Sequence, residues 1–138
     1  MGAIANITLT DDAATPVNHT FSPQPDILSG VAAWVDRSGG IALGYPKATF
    51  SMRSPTKASR AYKVVAKLVT PVLEVTSPST STGIQPAPTL SYNLICNTEW
   101  ILPERSTLQQ RKDLLAMLKD YLSDAVITNA IQNFEPVY

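Results

Sequence analysis

The stretch TFSMRSPTKASRAYKVVAKL, residues 49–68, decides how the chain is read. It holds five of the eleven basic residues and no acid. With the preceding Lys47-Ala48 it spells two extended runs, KATFSMR and RAYKVVAKLVT, joined by the turn SPTKAS. Such runs, bounded by Ser, Pro and Lys, predict an antiparallel hairpin. Side chains on a strand alternate between faces. In the first arm Lys47, Thr49, Ser51 and Arg53 share one face, and Ala48, Phe50 and Met52 the other. In the second arm Lys63, Val65 and Lys67 share one face, and Tyr62, Val64, Ala66 and Leu68 the other. Each arm thus has a basic side and an apolar side. The apolar side needs cover; the basic side is expected to stay open, flat and without acids.

The charge pattern of the rest of the chain supports this. There are eleven basic and eleven acidic residues in 138, so the net charge is zero. Between Asp36 and Glu74, however, Arg37, Lys47, Arg53, Lys57, Arg60, Lys63 and Lys67 occur with no acid among them. A local positive field on a balanced chain favours an anionic partner bound at one surface. Hydroxyls at Thr49 and Ser51, set between cations, suit phosphate and sugar.

Other function classes find little support. Hydrophobic content of 44% and charged content of 16% indicate a folded domain, read as one unit over residues 1–138. One cysteine, Cys96, and one histidine, His19, cannot build a metal cluster, and no cofactor motif occurs. His19 reads as an isolated surface residue, and no acid–base pair at useful spacing suggests an enzyme. No apolar run approaches a membrane span and no signal peptide is visible, which suggests a protein made and used in a cytoplasm.

Outward from the hairpin, IANITLT, NHTF, GVAAWV, VLEVT and TLSYNLICNTEWIL read as further short strands. SPSTSTGIQPAP, residues 77–88, reads as an uncharged loop. The last third changes period. Ser106 with Gln109 spells a capping box, and Leu108, Leu114, Leu115, Leu118, Tyr121 and Leu122 follow at helical spacing. Ser123 reads as a second N-cap, with Asp124 in the first turn of a helix carrying Val126, Ile127, Ala130, Ile131 and Phe134 and stopped by Pro136. Strands followed by two helices make an α+β fold with an antiparallel sheet.

In GVAAWV, in ATFSMRSP followed by SRAYKVVAKL, in the ST that opens the first helix, and in SDAVITNAIQNFEPVY, the chain resembles the coat proteins of single-stranded RNA bacteriophages, the levivirus type, and looks closest to the Q-beta-like branch. The resemblance spans nearly the whole chain. It implies an N-terminal β-hairpin, a five-stranded antiparallel sheet and two C-terminal helices that reach onto a partner, giving an interlocked homodimer with one ten-stranded sheet. It further implies that dimers close an icosahedral shell, a virion capsid assembled in a bacterial cytoplasm. The inner sheet face would meet single-stranded genomic RNA and an operator hairpin, repressing replicase translation.

By position, Lys47, Thr49, Ser51, Arg53, Lys63 and Lys67 match the family's RNA-facing strand residues, and Arg60 and Val65 are counted with them as RNA-binding candidates. Val65 stands where relatives carry a polar or basic side chain. In the last strand two registers are open. One puts Tyr92 toward RNA as a stacking tyrosine and Leu94 where an Asn or Asp is expected. The other, one residue shifted, puts Asn93 there and turns Tyr92, Leu94, Cys96 and Trp100 to the opposite side. The loop at 77–88, with Gly83, matches one that lies on the shell's symmetry axes in relatives. It has no cysteine, so no covalent link between subunits is expected there. Two other functions remain alternatives: an RNA-binding regulator that builds no shell, and a β-rich adhesin or binding module with an incidental basic hairpin.

Overall fold

The computed structural model describes residues 3–24, 30–74 and 89–138. Six strands form one antiparallel sheet whose spatial order is the chain order: β1 (Ile7–Thr10), β2 (Asn18–Pro23), β3 (Val31–Val35), β4 (Lys47–Arg53), β5 (Ala61–Leu73) and β6 (Leu90–Pro103). Two helices follow, α1 (Leu108–Ser123) and α2 (Ala125–Asn133). The sheet therefore has six strands rather than five. The N-terminal hairpin β1–β2 joins β3 through the end of β2, with Ser22 opposite Val35 and Pro23 opposite Trp34.

The basic stretch forms the hairpin β4–β5, in a register that pairs Lys47 with Val69, Thr49 with Lys67, Ser51 with Val65 and Arg53 with Lys63. The described part of VLEVT does not begin a new strand. Its start belongs to β5, which runs through Pro71. Pro71 is tolerated because β4 pairs no further along β5 than Val69, leaving β6 as the one strand neighbour there. A proline's missing N–H can then point to the unpaired side.

Cross-strand partners lie on the same face, so the ladders sort β4, β5 and β6 into two faces. One carries Ala48, Phe50, Met52, Tyr62, Val64, Ala66, Leu68, Leu94, Cys96, Thr98, Trp100 and Leu102, with no charged residue. Leu114 and Leu115 of α1 line a cleft with Phe50, Val64, Trp100 and Leu102, so the first turns of the helix reach one part of this face, while Met52 and Leu94 on it stay exposed. The N-terminal hairpin covers its other end: Ile7 and Leu9 lie beside Trp34, Ala48 and Leu68, and the Trp34 indole N–H donates to Ala5 O at 2.8 Å. Among the described residues the buried apolar ones are Phe21, Ala33, Val35 and Val64, a small core.

Both helix starts fall one residue later than the sequence suggests. Thr107, not Ser106, is the N-cap of α1: its hydroxyl accepts from Gln110 N at 3.2 Å and Gln110 Oε1 accepts from Thr107 N at 3.0 Å. Ser106-x-x-Gln109 and Thr107-x-x-Gln110 are equivalent as patterns. The tie is broken by the preceding turn, where Ser106 donates to Pro103 O at 2.7 Å and its own carbonyl and hydroxyl accept from Arg111. Ser123 ends α1, donating back to Asp120 O, and Asp124 caps α2 by accepting from Val126 N at 2.9 Å. α2 ends at Asn133, with Phe134 as its C-cap in the left-handed region at φ 57°.

Candidate nucleic-acid interface

The second face of β4, β5 and β6 gathers every charged side chain of these strands. It presents Lys47, Thr49, Ser51 and Arg53 from β4, Lys63, Val65, Lys67 and Val69 from β5, and Asn93, Ile95, Asn97, Glu99 and Ile101 from β6. The rows across it read Arg53–Lys63–Ile101, Ser51–Val65–Glu99 and Thr49–Lys67–Asn97. Four cations therefore share one surface, because strand alternation and register leave them nowhere else to go.

The hairpin residues named from the sequence are thus brought together, with Val65 as an apolar step between Lys63 and Lys67. Arg60 is not on this face. It lies in the turn before β5 and pairs with Glu104 at 3.0 Å, at the junction of β6 and α1. The ladder distinguishes the two open registers of the last strand. Asn93 pairs with Pro71 and shares the cationic face, whereas Tyr92 pairs with Val72 on the reverse, with Leu94, Cys96 and Trp100. The register irregularity in this ladder falls between Val72 and Leu73, beyond Tyr92, and does not alter its side. The loop at 77–88, including Gly83, lies outside the described residues.

One expectation about this face fails. It is not free of acids: Glu99 stands opposite Val65, and its Oε1 lies 3.3 Å from Lys63 Nζ. The sequence hid this because Glu99 is 32 residues beyond Lys67 and reaches the face only through the β5–β6 register.

A second polar cluster was missed for the same reason. His19 is not isolated. Its Nε2 lies 2.7 Å from Asp11 Oδ2 and its Nδ1 3.1 Å from Asp36 Oδ2. Asp11 closes the β1–β2 turn, accepting from Val17 N at 2.9 Å and Ala13 N at 3.2 Å. Asp36, just after β3, is 3% exposed and accepts from Ser38 N at 3.0 Å. An imidazole between two carboxylates donates from both nitrogens only when protonated. The hydrogen bond to Asp11, then that to Asp36, raises the His19 pKa above its ordinary 6.5. The Val17 amide and His19 hold Asp11 down to about 2. Burial pushes Asp36 up, but hydrogen bonds from Ser38 and His19 outweigh it and its pKa lies below the ordinary value. Among the described residues no set of His, Cys, Asp or Glu is arranged to hold a metal ion.

The described residues thus form a sheet with one apolar face, one open cationic face and an edge strand, β6, without a strand partner among them. The family model for the levivirus coat protein matches residues 2–138, and the chain belongs to that family. It is 31% identical over 137 residues to the capsid protein of Pseudomonas phage PRR1, covering 98% of each chain. Among solved structures it resembles the virus-like particle of bacteriophage ESE058 (TM-score 0.89, 34% identity, 99% of this chain and 100% of that one). It also resembles that of bacteriophage NT-214 (TM-score 0.85, 28% identity, 99% and 100%). The family is one of viral capsid proteins, a structural and not an enzymatic class.

Proposed function

We propose that this coat protein dimerises, closes an icosahedral shell, and turns its cationic sheet face inward onto single-stranded genomic RNA. The observation that carries the reading is the convergence of Lys47, Arg53, Lys63 and Lys67 on the uncovered side of β4–β5. There they offset phosphate charge and make binding salt-dependent. Thr49, Ser51, Asn93 and Asn97 add hydrogen-bonding groups for sugar and base edges on the same side. On this reading Asn93, which shares the cationic face, rather than Tyr92 on the reverse, meets RNA from the last strand. Recognition of an operator hairpin, with repression of replicase translation, is the specific form of this binding.

Dimerisation is supported by what one chain leaves uncovered. β6 is 14 residues long and ends the strand order, so its outer edge has no strand partner among the described residues. It exposes Leu94, Ile95 and Ile101 at 58%, 60% and 65%. No residue of α1 or α2 is buried within the chain, although Leu108, Leu114, Leu115, Met117, Tyr121 and Ile131 are all apolar or aromatic. A second copy, pairing β6 to β6 and laying its helices over the apolar face, covers both the edge and the helices symmetrically. The ESE058 and NT-214 relatives are virus-like particles.

Expression of this chain alone, followed by electron microscopy and the ratio of absorbance at 260 and 280 nm, tests the reading. Large particles rich in nucleic acid are the expected result. Discrete dimers that shift an RNA hairpin would indicate a regulator that builds no shell. Small species free of nucleic acid would overturn the RNA reading altogether.

A further inference from the structure

We propose that Glu99 is a built-in competitor for RNA phosphate at Lys63, lowering the affinity of the cationic face for arbitrary RNA; this rests on the RNA-binding reading above. On β4, β5 and β6 that face carries the cations Lys47, Arg53, Lys63 and Lys67 and one acid, Glu99. The acid is neither remote nor turned away. It sits on the edge strand β6, opposite Val65 and so between the rows of Lys63 and Lys67, and forms a 3.3 Å ion pair with Lys63 across the β5–β6 ladder.

Lys63 is flanked on both sides. Arg53 stands directly opposite it on β4, a like-charge pair that is unfavourable across strands, and Glu99 approaches from β6. The carboxylate thus offsets one member of this repelling pair. The side chains of Lys63 and Glu99 are 37% and 46% exposed. A pair this open is weak and exchangeable, so a phosphate can take the carboxylate's place. It does so against the repulsion of Glu99, which stays on the face. Weak, scattered phosphate contacts lose most by this. An RNA that also engages hydroxyls and amides by shape and base edge offsets the loss. The face therefore trades general affinity for discrimination.

The test compares wild type, Glu99→Gln, Lys63→Gln and the double variant of the full-length, unassembled protein. Each is titrated with an oligouridylate and with a stem-loop RNA of equal length over a salt series. Glu99→Gln is expected to tighten oligouridylate binding more than stem-loop binding. It should also steepen the salt dependence by about 0.7 in log–log slope for each carboxylate the RNA covers, so that the gain is about fivefold larger at 0.1 M than at 1 M salt. Lys63→Gln should cost more affinity in the Glu99→Gln background than in wild type, because the lysine is then unopposed. A merely structural role for the pair would move the thermal midpoint and leave the salt slope alone. An unchanged slope, or weaker binding by Glu99→Gln, would overturn the inference while leaving the RNA-binding reading standing. Failure of wild type and all variants to bind either RNA would remove both.

Discussion

At the scale of single residues, His19 shows how much depends on partners far away in sequence. It ties the β1–β2 turn, through Asp11, to the buried carboxylate of Asp36 after β3. The folded-state pKa of His19 lies above its ordinary value of 6.5. Its contribution is therefore complete below that value and lost as pH rises through the raised folded pKa. Asp11 works in the other direction. Its folded pKa is near 2, so its contribution is present above the ordinary 3.8 and lost as pH falls toward 2. Stability from this cluster should be greatest in mildly acidic solution. We expect the thermal midpoint of the wild type to fall between pH 6.5 and 9 more steeply than that of His19→Gln. Parallel curves would show that the histidine does not brace the hairpin. Neither contact was readable beforehand: that to Asp11 needs the β1–β2 register, which sets Leu9 opposite His19, and that to Asp36 exists only once the hairpin lies against β3.

At the scale of elements, alternation and helical period carried most of the reading. The basic hairpin needed no tertiary information, since two arms of alternating polarity joined by a six-residue turn have few other ways to pair. The helix caps were ambiguous by one residue because adjacent hydroxyls spell the same box, and Arg111 resolves the choice only through the fold. Thr107→Ala should accordingly destabilise the unassembled protein by about 1 kcal/mol and Ser106→Ala by less, read from urea midpoints. Equal losses would place the cap wrongly. The last strand could not be assigned a face from sequence, because YNLICNTEW offers apolar residues at both parities. Its register comes from thirteen residues of pairing with β5. Val64, buried between Phe50, Trp100 and α1, sits where sheet and helix meet; Val64→Ala should cost about 1.5 kcal/mol from the two methyl-sized groups removed.

At the scale of the whole molecule, a chain of zero net charge becomes strongly polarised once folded. The apolar face of β4–β6 carries no charge and its reverse carries four cations and one acid. The sequence made the cations visible as a cluster but left their acid out of sight, because a 14-residue strand from elsewhere in the chain delivers it. Charge reversal at Lys63 and Lys67 together should lower the RNA content of assembled particles, measured by absorbance ratio, while the yield of dimers persists. Unchanged RNA content would make these two lysines mere solvated surface.

The order of the strands in space has a consequence for how such a chain is made. Because β1 to β6 neighbour one another in the sequence in which they are synthesised, each strand leaving the ribosome finds the template it pairs with already present, although the longest ladder, β5 with β6, closes over the longest connection, residues 74–89. The long edge strand β6, at the opposite end of the order from β1, is the last of the six to emerge. A nascent chain therefore presents the outer edge of β6 to a sister molecule only after all six of its own strands have been made.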